Sequence, residues 1–365
     1  MERIFNPSRL VIARQRAQLS KKDLAARAGI SQKHLKLYEE GDRSPPTSAL
    51  DQLAKTLDFP VEFFFGADVD VPLASNASFR SFSRMTSGQR DAALAAGGIA
   101  FELSAWIDGN FNLPPVDVPD LAGMDPEAAA EIVRARWQLE QRPIKNMIHL
   151  LESRGVRVFS LVEDTREVNA FSSWRAGSVP FVFLNTLKSS ESSRFDAAHE
   201  LGHLVLHRHG DPKGKEIESE ANAFASALLM PKSEMRALAT RAISIPDIII
   251  IKKMWNVSAM ALVYRLHKVG VLTEWLYRSM CIELSSRGMR MKETDSADRE
   301  VSLVLKKVFD ALKQSGKGIR DIARDLNLPA DELHKLLFGL TPVSLGADNP
   351  TPMQSPRRGH LRLVK

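Results

Sequence analysis

The pentapeptide His199-Glu200-Leu201-Gly202-His203 constrains this chain more than any other stretch, because H-E-x-x-H has a chemical use only on a helix. Residues four apart on a helix share a face about one turn apart, so both imidazoles converge on one ion. Glu200 falls beside them, within reach of a water at that ion, as the proton acceptor of metal-dependent hydrolysis. The run from Arg194 to His209 has a helical pattern. The spacing predicts a metal-dependent hydrolase site, provided that a third ligand follows.

A structural zinc site needs four protein ligands, whereas a catalytic one uses three and keeps a position open. His209 stands where an H-E-x-x-H-x-x-G-x-x-H site would put its third ligand, but Leu206 occupies the place of the turning Gly. His207 lies one further turn along the helix axis. The stretch Glu216 to Pro231 reads as a helix with Ala221, Phe224, Ala225 and Leu228 on a buried stripe. On it, Glu218 and Asn222 are four apart and share a face. Glu218 would complete a His₂Glu set, and Asn222 would hydrogen-bond the far nitrogen of a ligand histidine. Glu220 points roughly 200° away from Glu218 and is held in reserve. Glu216 and Glu220 also suit a helix start, where the macrodipole favours acids. His207 and His209 stay open as alternatives.

Ahead of this region, residues 8–66 read as an all-helical unit. Leu10, Ile12, Ala13 and Ala17 recur at helical spacing, and Ser20 offers an N-cap for a short helix to Arg27. Ala28-Gly29-Ile30 is a tight turn, Ser31 to Glu39 a second helix, and Gly41 to Pro46 a break. Thr47 to Leu57 is helical again, and Val61 to Phe65 closes the unit. Two helices around a Gly-containing turn form a helix-turn-helix. The run Leu19 to Ser31, with Leu35, Tyr38, Glu39-Glu40-Gly41, Leu53-Ala54 and Phe63-Phe64-Phe65, resembles the Cro/CI-like (XRE) DNA-binding domains. In that geometry Ile30, Leu35 and Tyr38 turn inward, while Gln32, Lys33, Lys36 and Leu37 face out as DNA contacts. Gln32 suits an adenine edge, and Lys33 and Lys36 suit guanine or phosphate. Leu37 suits a thymine methyl, or equally a protein partner.

The chain has 365 residues, enough for two or three cores, and its 44% apolar and 26% charged content is ordinary for a globular protein. A net charge of +6 permits a nucleic-acid partner without requiring one. The single Cys281 excludes an intrachain disulfide framework and fits a reducing compartment. No signal-length apolar run opens the chain, and Ile248 to Ile251 is too short to span a bilayer. The expectation is a cytoplasmic protein without a membrane partner, associated with the nucleoid when bound to DNA. A homodimer is compatible with this organisation.

Between these landmarks, 67–76 reads as a linker, Ser87 to Ile107 as an alanine-rich helix, and Asn112 to Pro119 as a stiff connector. Asp125-Pro126 starts a helix through Trp137, and Ile144 to Arg154 is another. Val156 to Val162, Asn169 to Ser172 and Pro180 to Leu184 read as strands, the last offering an edge for an extended substrate. Ser244 to Gly270 is helical and carries Tyr264 and His267 as candidate oxyanion donors. Arg299 to Ser315 and Ile319 to Phe338 form a small helical module. Its Asp331 and Glu332 would repel phosphate, so it reads as a packing or protein-contact module. The fold class is therefore mainly α with a small β-sheet (α+β). The division is 1–67 for DNA binding and 68–293 for the domain that holds the H-E-x-x-H site (lead-in 78–155, core 156–293). A module at 294–344 and a disordered tail at 345–365 follow.

Ala198 to His207, then Glu218-x-x-Ala221-Asn222-x-Phe224-Ala225 and Leu228-Leu229-Met230-Pro231, resemble the ImmA/IrrE family of zinc metallopeptidases. Phe79-Arg80, Pro143-Ile144, Gly155 to Val158 and Trp255 to Ser258 extend the likeness across most of residues 75–290. The resemblance implies metal ligands at His199, His203 and Glu218, with Glu200 as general base. It further implies one Zn²⁺ per chain and limited proteolysis of a transcriptional repressor, itself a helix-turn-helix protein, in a stress or mobile-element response. Another divalent metal would fit similar ligands. Two further readings stay open. One is a transcriptional regulator whose peptidase-like domain senses a partner with little or no turnover, and the other is an antitoxin-like binding protein.

Overall fold

The structure is a computed structural model, and it describes residues 4–72, 85–161, 170–208, 214–240, 243–289, 293 and 295–341. Phe79-Arg80, His209 and the 345–365 tail lie outside the described residues. The first unit contains α1 (Pro7–Arg16), α2 (Lys21–Arg27), α3 (Gln32–Glu40), α4 (Thr47–Leu57) and a 3-10 turn at Val61–Phe65. Three of these helices begin where a side chain accepts a backbone N–H left over at the helix start. Asn6 takes that of Ser8, Ser20 that of Asp23, and Ser31 that of His34. Gly41 ends α3 in the left-handed region at φ 80, which costs glycine no Cβ clash. Leu10, Leu24, Leu35, Leu53, Phe63 and Phe64 are wholly buried in its core.

Thr86 and Gln89 cap α5 (Ser87–Asn110) reciprocally. Its alanine and glycine face lets the preceding chain lie close, since a Cβ on Gly97 would stand 2.5 Å from Pro72 Cγ. Helix α1 packs against α5, and Arg9 of α1 pairs with Glu102 of α5. Next come α6 (Pro126–Arg136), which Asp125 caps, and α7 (Met147–Ser153). The latter begins three residues later than the sequence pattern predicts, because Asn146 takes the N-cap position and accepts from His149 N–H.

A mixed three-stranded sheet follows in the order β1-β3-β2, from β1 (Arg157–Ser160), β2 (Phe171–Arg175) and β3 (Val179–Leu184). Strand β1 runs parallel to β3, pairing Val158 with Val182, and β2 runs antiparallel to it, pairing Phe171 with Phe183. Ala176 and Gly177 both have positive φ, the geometry of the tight hairpin turns that match strand twist. β3 is the central strand. Its two sides are taken by β1 and β2, so Pro180 to Leu184 offers no edge to a substrate, contrary to the expectation from its sequence.

The long α8 (Ser190–Leu206) lies against β2 and β3 and is covered by α9 (Lys215–Leu229), which also packs on α6. Buried Arg134 on α6 donates to the carbonyls of Leu228, Glu140 and Arg142, pinning the C-terminal end of α9. Burial lowers this guanidinium's pKa to about 10. Further along are α10 (Lys232–Ala237), α11 (Ile245–Trp255), α12 (Ala259–Lys268) and α13 (Glu274–Ser286). The helical stretch expected from Ser244 to Gly270 is two helices, because Asn256 ends α11 at φ 51 and Ser258 caps α12.

The C-terminal helices are α14 (Leu303–Gln314), α15 (Ile319–Asp325) and α16 (Ala330–Leu337). Helix α14 starts later than predicted because Ser302 is its N-cap and the buried Glu152 carboxylate accepts from Leu303 and Val304 N–H at 2.9 and 3.1 Å. Glu332 does not sit on an open face. It is buried on α16, and its Oε2 lies 2.6 Å from Arg16 Nε of α1. The module thus packs on both the first helical unit and the sheet body. No helix among the described residues is long and apolar enough to cross a membrane.

Candidate metal centre

His199 and His203 leave α8 on the face turned to α9, and their Nε2 atoms come to 3.0 Å from each other. Glu218, on the first turn of α9, brings Oε2 to 3.4 Å from His199 Nε2 and Oε1 to 3.5 Å from His203 Nε2. These three are the one group of histidine, cysteine and acidic side chains among the described residues placed to share an ion. Gly202 sets the spacing between the helices. A Cβ there would meet Ala221 Cα at 3.2 Å and Phe224 Cδ1 at 3.1 Å. Its absence lets α9 approach closely enough for Glu218 to reach the histidines.

The donor chemistry fits a divalent cation. Both Glu218 oxygens are buried, yet neither has a hydrogen-bond partner among the described residues. A buried carboxylate in that state is costly unless a cation faces it. Burial would raise its pKa, but the contacts with His199 and His203 outweigh burial and hold the carboxyl well below the usual range. Burial lowers His203 to about 4, which keeps the imidazole neutral, as a metal ligand must be. On His199 burial also acts downward, but the Glu218 and Glu200 carboxylates outweigh it and the net shift is upward.

The surroundings orient these rings. Asn222 Oδ1 lies 3.0 Å from His199 Nδ1, so that Nδ1–H donates and Nε2 keeps its lone pair toward Glu218. Sequence reasoning anticipated that partner by its four-residue spacing from Glu218. It missed Ser172 on β2, whose hydroxyl lies 2.7 Å from Glu200 Oε2. Glu200 is buried, and burial pushes its carboxyl up to about 7 against the lowering effects of His199 and Ser172. His207 is not turned toward Glu218. Its Nδ1 lies 3.1 Å from His203 Nδ1 and its Nε2 2.8 Å from Glu220 Oε2. Two histidines four apart on one helix were the available signal for this contact.

A cavity of about 800 Å³ opens beside Glu218 and Asn222, with Lys215, Lys232, Lys268 and Tyr264 in its wall. Arg265 closes its floor, donating to Met230 O at 2.9 Å and forking onto the Glu127 carboxylate. Tyr264 thus borders the same space as the centre. His267 does not line that cavity, and its ring nitrogens face the Leu272 carbonyl and Glu274.

In the first unit Gln32, Lys33 and Lys36 are exposed on the outer face of α3, and Leu37 is half-buried there. Lys36 lies 3.7 Å from Glu40 one turn on. Leu35 and Tyr38 are buried on the opposite face, and Glu39 is held by Arg14 at 2.6 Å and Lys21 at 3.1 Å.

Comparison with known families adds two matches. Residues 151–267 match the IrrE N-terminal-like domain of the Peptidase_M78 family, and residues 10–64 match a helix-turn-helix family. The first match contains β1 to β3, α8, α9 and the whole donor cluster, and the second contains α2 and α3. The chain between them and the C-terminal module lie outside both. No curated protein matches the chain.

Proposed function

We propose, from the premise that the chain joins a helix-turn-helix domain to an IrrE N-terminal-like peptidase-family domain, that it is a zinc-dependent endopeptidase and DNA-binding regulator. Its substrate is a transcriptional repressor, and its setting a stress or mobile-element response in the cytoplasm. The observation that carries this reading is the pair of unbonded, buried Glu218 oxygens facing two histidine nitrogens, with Glu200 alongside. His199, His203 and Glu218 would hold the ion, which when bound supplies Lewis acidity toward a peptide carbonyl and lowers the pKa of water.

The chain's own groups do the rest. Glu200 accepts the proton from the attacking water at its carboxylate and returns it to the leaving amine. A carboxyl pushed to about 7 can do both near neutral pH. Ser172 holds Oε2 from the sheet side and so limits the rotation of that carboxylate. Asn222 holds His199 in the tautomer that leaves Nε2 bare. The cavity beside Glu218 admits an extended peptide, and Tyr264 stands in its wall as the candidate oxyanion donor. The outer face of α3, with Gln32, Lys33, Lys36 and Leu37, brings the protein to the DNA on which a repressor sits.

Glu200→Gln is the direct test. The variant should bind one zinc per chain by mass spectrometry, like the wild type, and lose cleavage of a helix-turn-helix repressor encoded beside its gene. Repressor loss continuing unchanged in cells carrying Glu200→Gln would sink the peptidase reading. The exposed α3 face also supports a second reading, a transcriptional regulator with little turnover. That reading requires promoter control to persist in Glu200→Gln and to vanish in Gln32→Ala with Lys33→Ala.

A further inference from the structure

His207 closes α8 as its C-cap residue, with its side chain 8% exposed and its ring 5.1 Å from that of His203. The two Nδ1 atoms face each other at 3.1 Å. Two neutral imidazoles can share such a contact only if one Nδ1 carries the proton and the other does not. His207 Nε2 in turn lies 2.8 Å from the Glu220 carboxylate, which is acceptor-only when ionised. If His203 gives its Nε2 lone pair to a metal, its proton sits on Nδ1 and is donated to a bare His207 Nδ1, and a neutral His207 then donates Nε2–H to Glu220. His203 Nε2 lies 3.0 Å from His199 Nε2 and faces Glu218.

We propose that His207 and Glu220 are positioning residues that lock His203 into the tautomer that leaves its Nε2 bare, and into its orientation, through a hydrogen-bond chain running Glu220, His207, His203. The proposal rests on the reading above, in that it takes the centre to bind a metal. The two ligand histidines are thus oriented by two residues of one helix. Asn222 acts directly on His199, and Glu220 acts through an intervening imidazole on His203. The longer arrangement follows from helix geometry. Glu220 and Asn222 are two apart on α9 and point to different sides, so a second ring is needed to span from Glu220 back to His203. Partners of this kind raise the basicity of a ligand and remove the entropy of orienting its ring, and their loss typically lowers metal affinity about 10- to 100-fold.

The alternative is that the chain only straps the end of α8 to α9, and three variants separate the two. His207→Phe keeps a ring in the buried site and removes both hydrogen bonds. His207→Gln restores an oxygen that accepts from His203 and an NH₂ that donates to Glu220. Glu220→Gln keeps an acceptor but removes the charge at the half-exposed end, where folding is least at risk. Zinc affinity is measured by competition with a chromophoric chelator, and melting temperature on the metal-free proteins. We expect His207→Phe to weaken zinc binding about 10- to 100-fold, Glu220→Gln to weaken it less, and His207→Gln to recover most of the loss, with metal-free melting nearly unchanged. Equal zinc affinity in wild type and His207→Phe, or an affinity loss that His207→Gln fails to recover, overturns the proposal and leaves the peptidase reading standing. If His207→Phe does not fold, Glu220→Gln decides, because unchanged zinc affinity there overturns it as well. A wild-type protein that takes up no zinc overturns both.

Discussion

The Ser172 hydroxyl stands 2.7 Å from Glu200 Oε2 and so ties strand β2 to the acid of the H-E-x-x-H helix. A hydrogen bond to a carboxylate favours its charged form, whereas burial favours the neutral one, and here burial wins. Ser172→Ala should therefore raise the Glu200 pKa above its value of about 7, by roughly one unit if the bond contributes on the order of 1.4 kcal/mol. Because the folded-state value lies above the ordinary carboxylate value, Glu200 contributes stability that is fully present below about pH 4.3. That contribution is lost as pH rises through about 7. The metal-free wild type should lose stability between pH 5 and 8, Ser172→Ala should lose more, and Glu200→Gln should lack that component. Carboxyl NMR titration with denaturation at the two pH values reads all three, and an unmoved Glu200 titration in Ser172→Ala would contradict the argument.

Gly202 makes a second prediction, because two effects of one methyl group oppose each other. Alanine is favoured over glycine inside a helix by about 1 kcal/mol. At this position, however, the Cβ would press on Ala221 Cα at 3.2 Å and Ala221 O at 3.3 Å, which are backbone atoms of α9 and cannot rotate away. The helices must separate slightly, and Glu218 moves with α9. We expect Gly202→Ala to change metal-free melting by only a few degrees while zinc affinity falls about tenfold, since ligand geometry is less forgiving than packing. Wild-type zinc affinity in this variant would show that the close approach is not what holds Glu218 in reach.

These two cases show how the centre was and was not legible beforehand. Much that one helix carries could be read from spacing: His199 with His203, Glu218 with Asn222, and the caps Ser20 and Asp125. Contacts between elements could be read only where a same-face pair such as Glu218 and Asn222 pointed at them. Ser172 reaches Glu200 from a strand 28 residues earlier in the chain, and no periodicity in either segment reports that approach. Glu220, a reserve ligand by sequence because it points away from Glu218, points at His207 instead. Strand β3 looked like an edge because order in a sheet is a tertiary property, and the turn at Ala176-Gly177 folds β2 onto its free side. Glu332 looked like a surface acid for the same reason, since its partner Arg16 lies at the other end of the chain.

That Arg16–Glu332 pair leads to a third prediction. Burial acts to raise the Glu332 carboxyl, but Arg16 and Lys335 outweigh it and the net shift is downward. A carboxylate with a lowered folded-state value contributes stability above its ordinary pKa of about 4.3 and loses it as pH falls through the folded value. The contact between the DNA-binding unit and the C-terminal module should be intact at neutral pH and weaken only in acid below that range. Arg16→Ala or Glu332→Ala alone removes one member of a buried pair and should destabilise by about 1.5–3 kcal/mol, Arg16→Ala the less because Lys335 Nζ still lies 2.6 Å from Glu332 Oε1, whereas Arg16→Met with Glu332→Leu should come closer to neutral. Denaturation of the three variants, with limited proteolysis of the chain around residue 70, tests this. Equal stability of the single and double variants would mean the pair is not desolvated as described.

The outer face of α3 gives the last prediction, and Lys36 is its most informative residue. It sits 3.7 Å from Glu40, so on the free protein its charge is partly offset. Contact with a DNA phosphate would draw the ammonium away and leave Glu40 near the backbone of the duplex, where it repels. Lys36→Ala should weaken binding evenly across sequences and reduce the slope of log affinity against log salt by about one. Glu40→Gln should strengthen binding to any sequence without changing which is preferred. Gln32→Ala should do the opposite, leaving the salt slope unchanged while relaxing the preference for an adenine at one position by about 1–3 kcal/mol. Fluorescence anisotropy on matched and mismatched duplexes at several salt concentrations separates these effects. If Lys36→Ala left the salt slope where it was and Gln32→Ala left the preference intact, α3 would not be the helix that meets DNA.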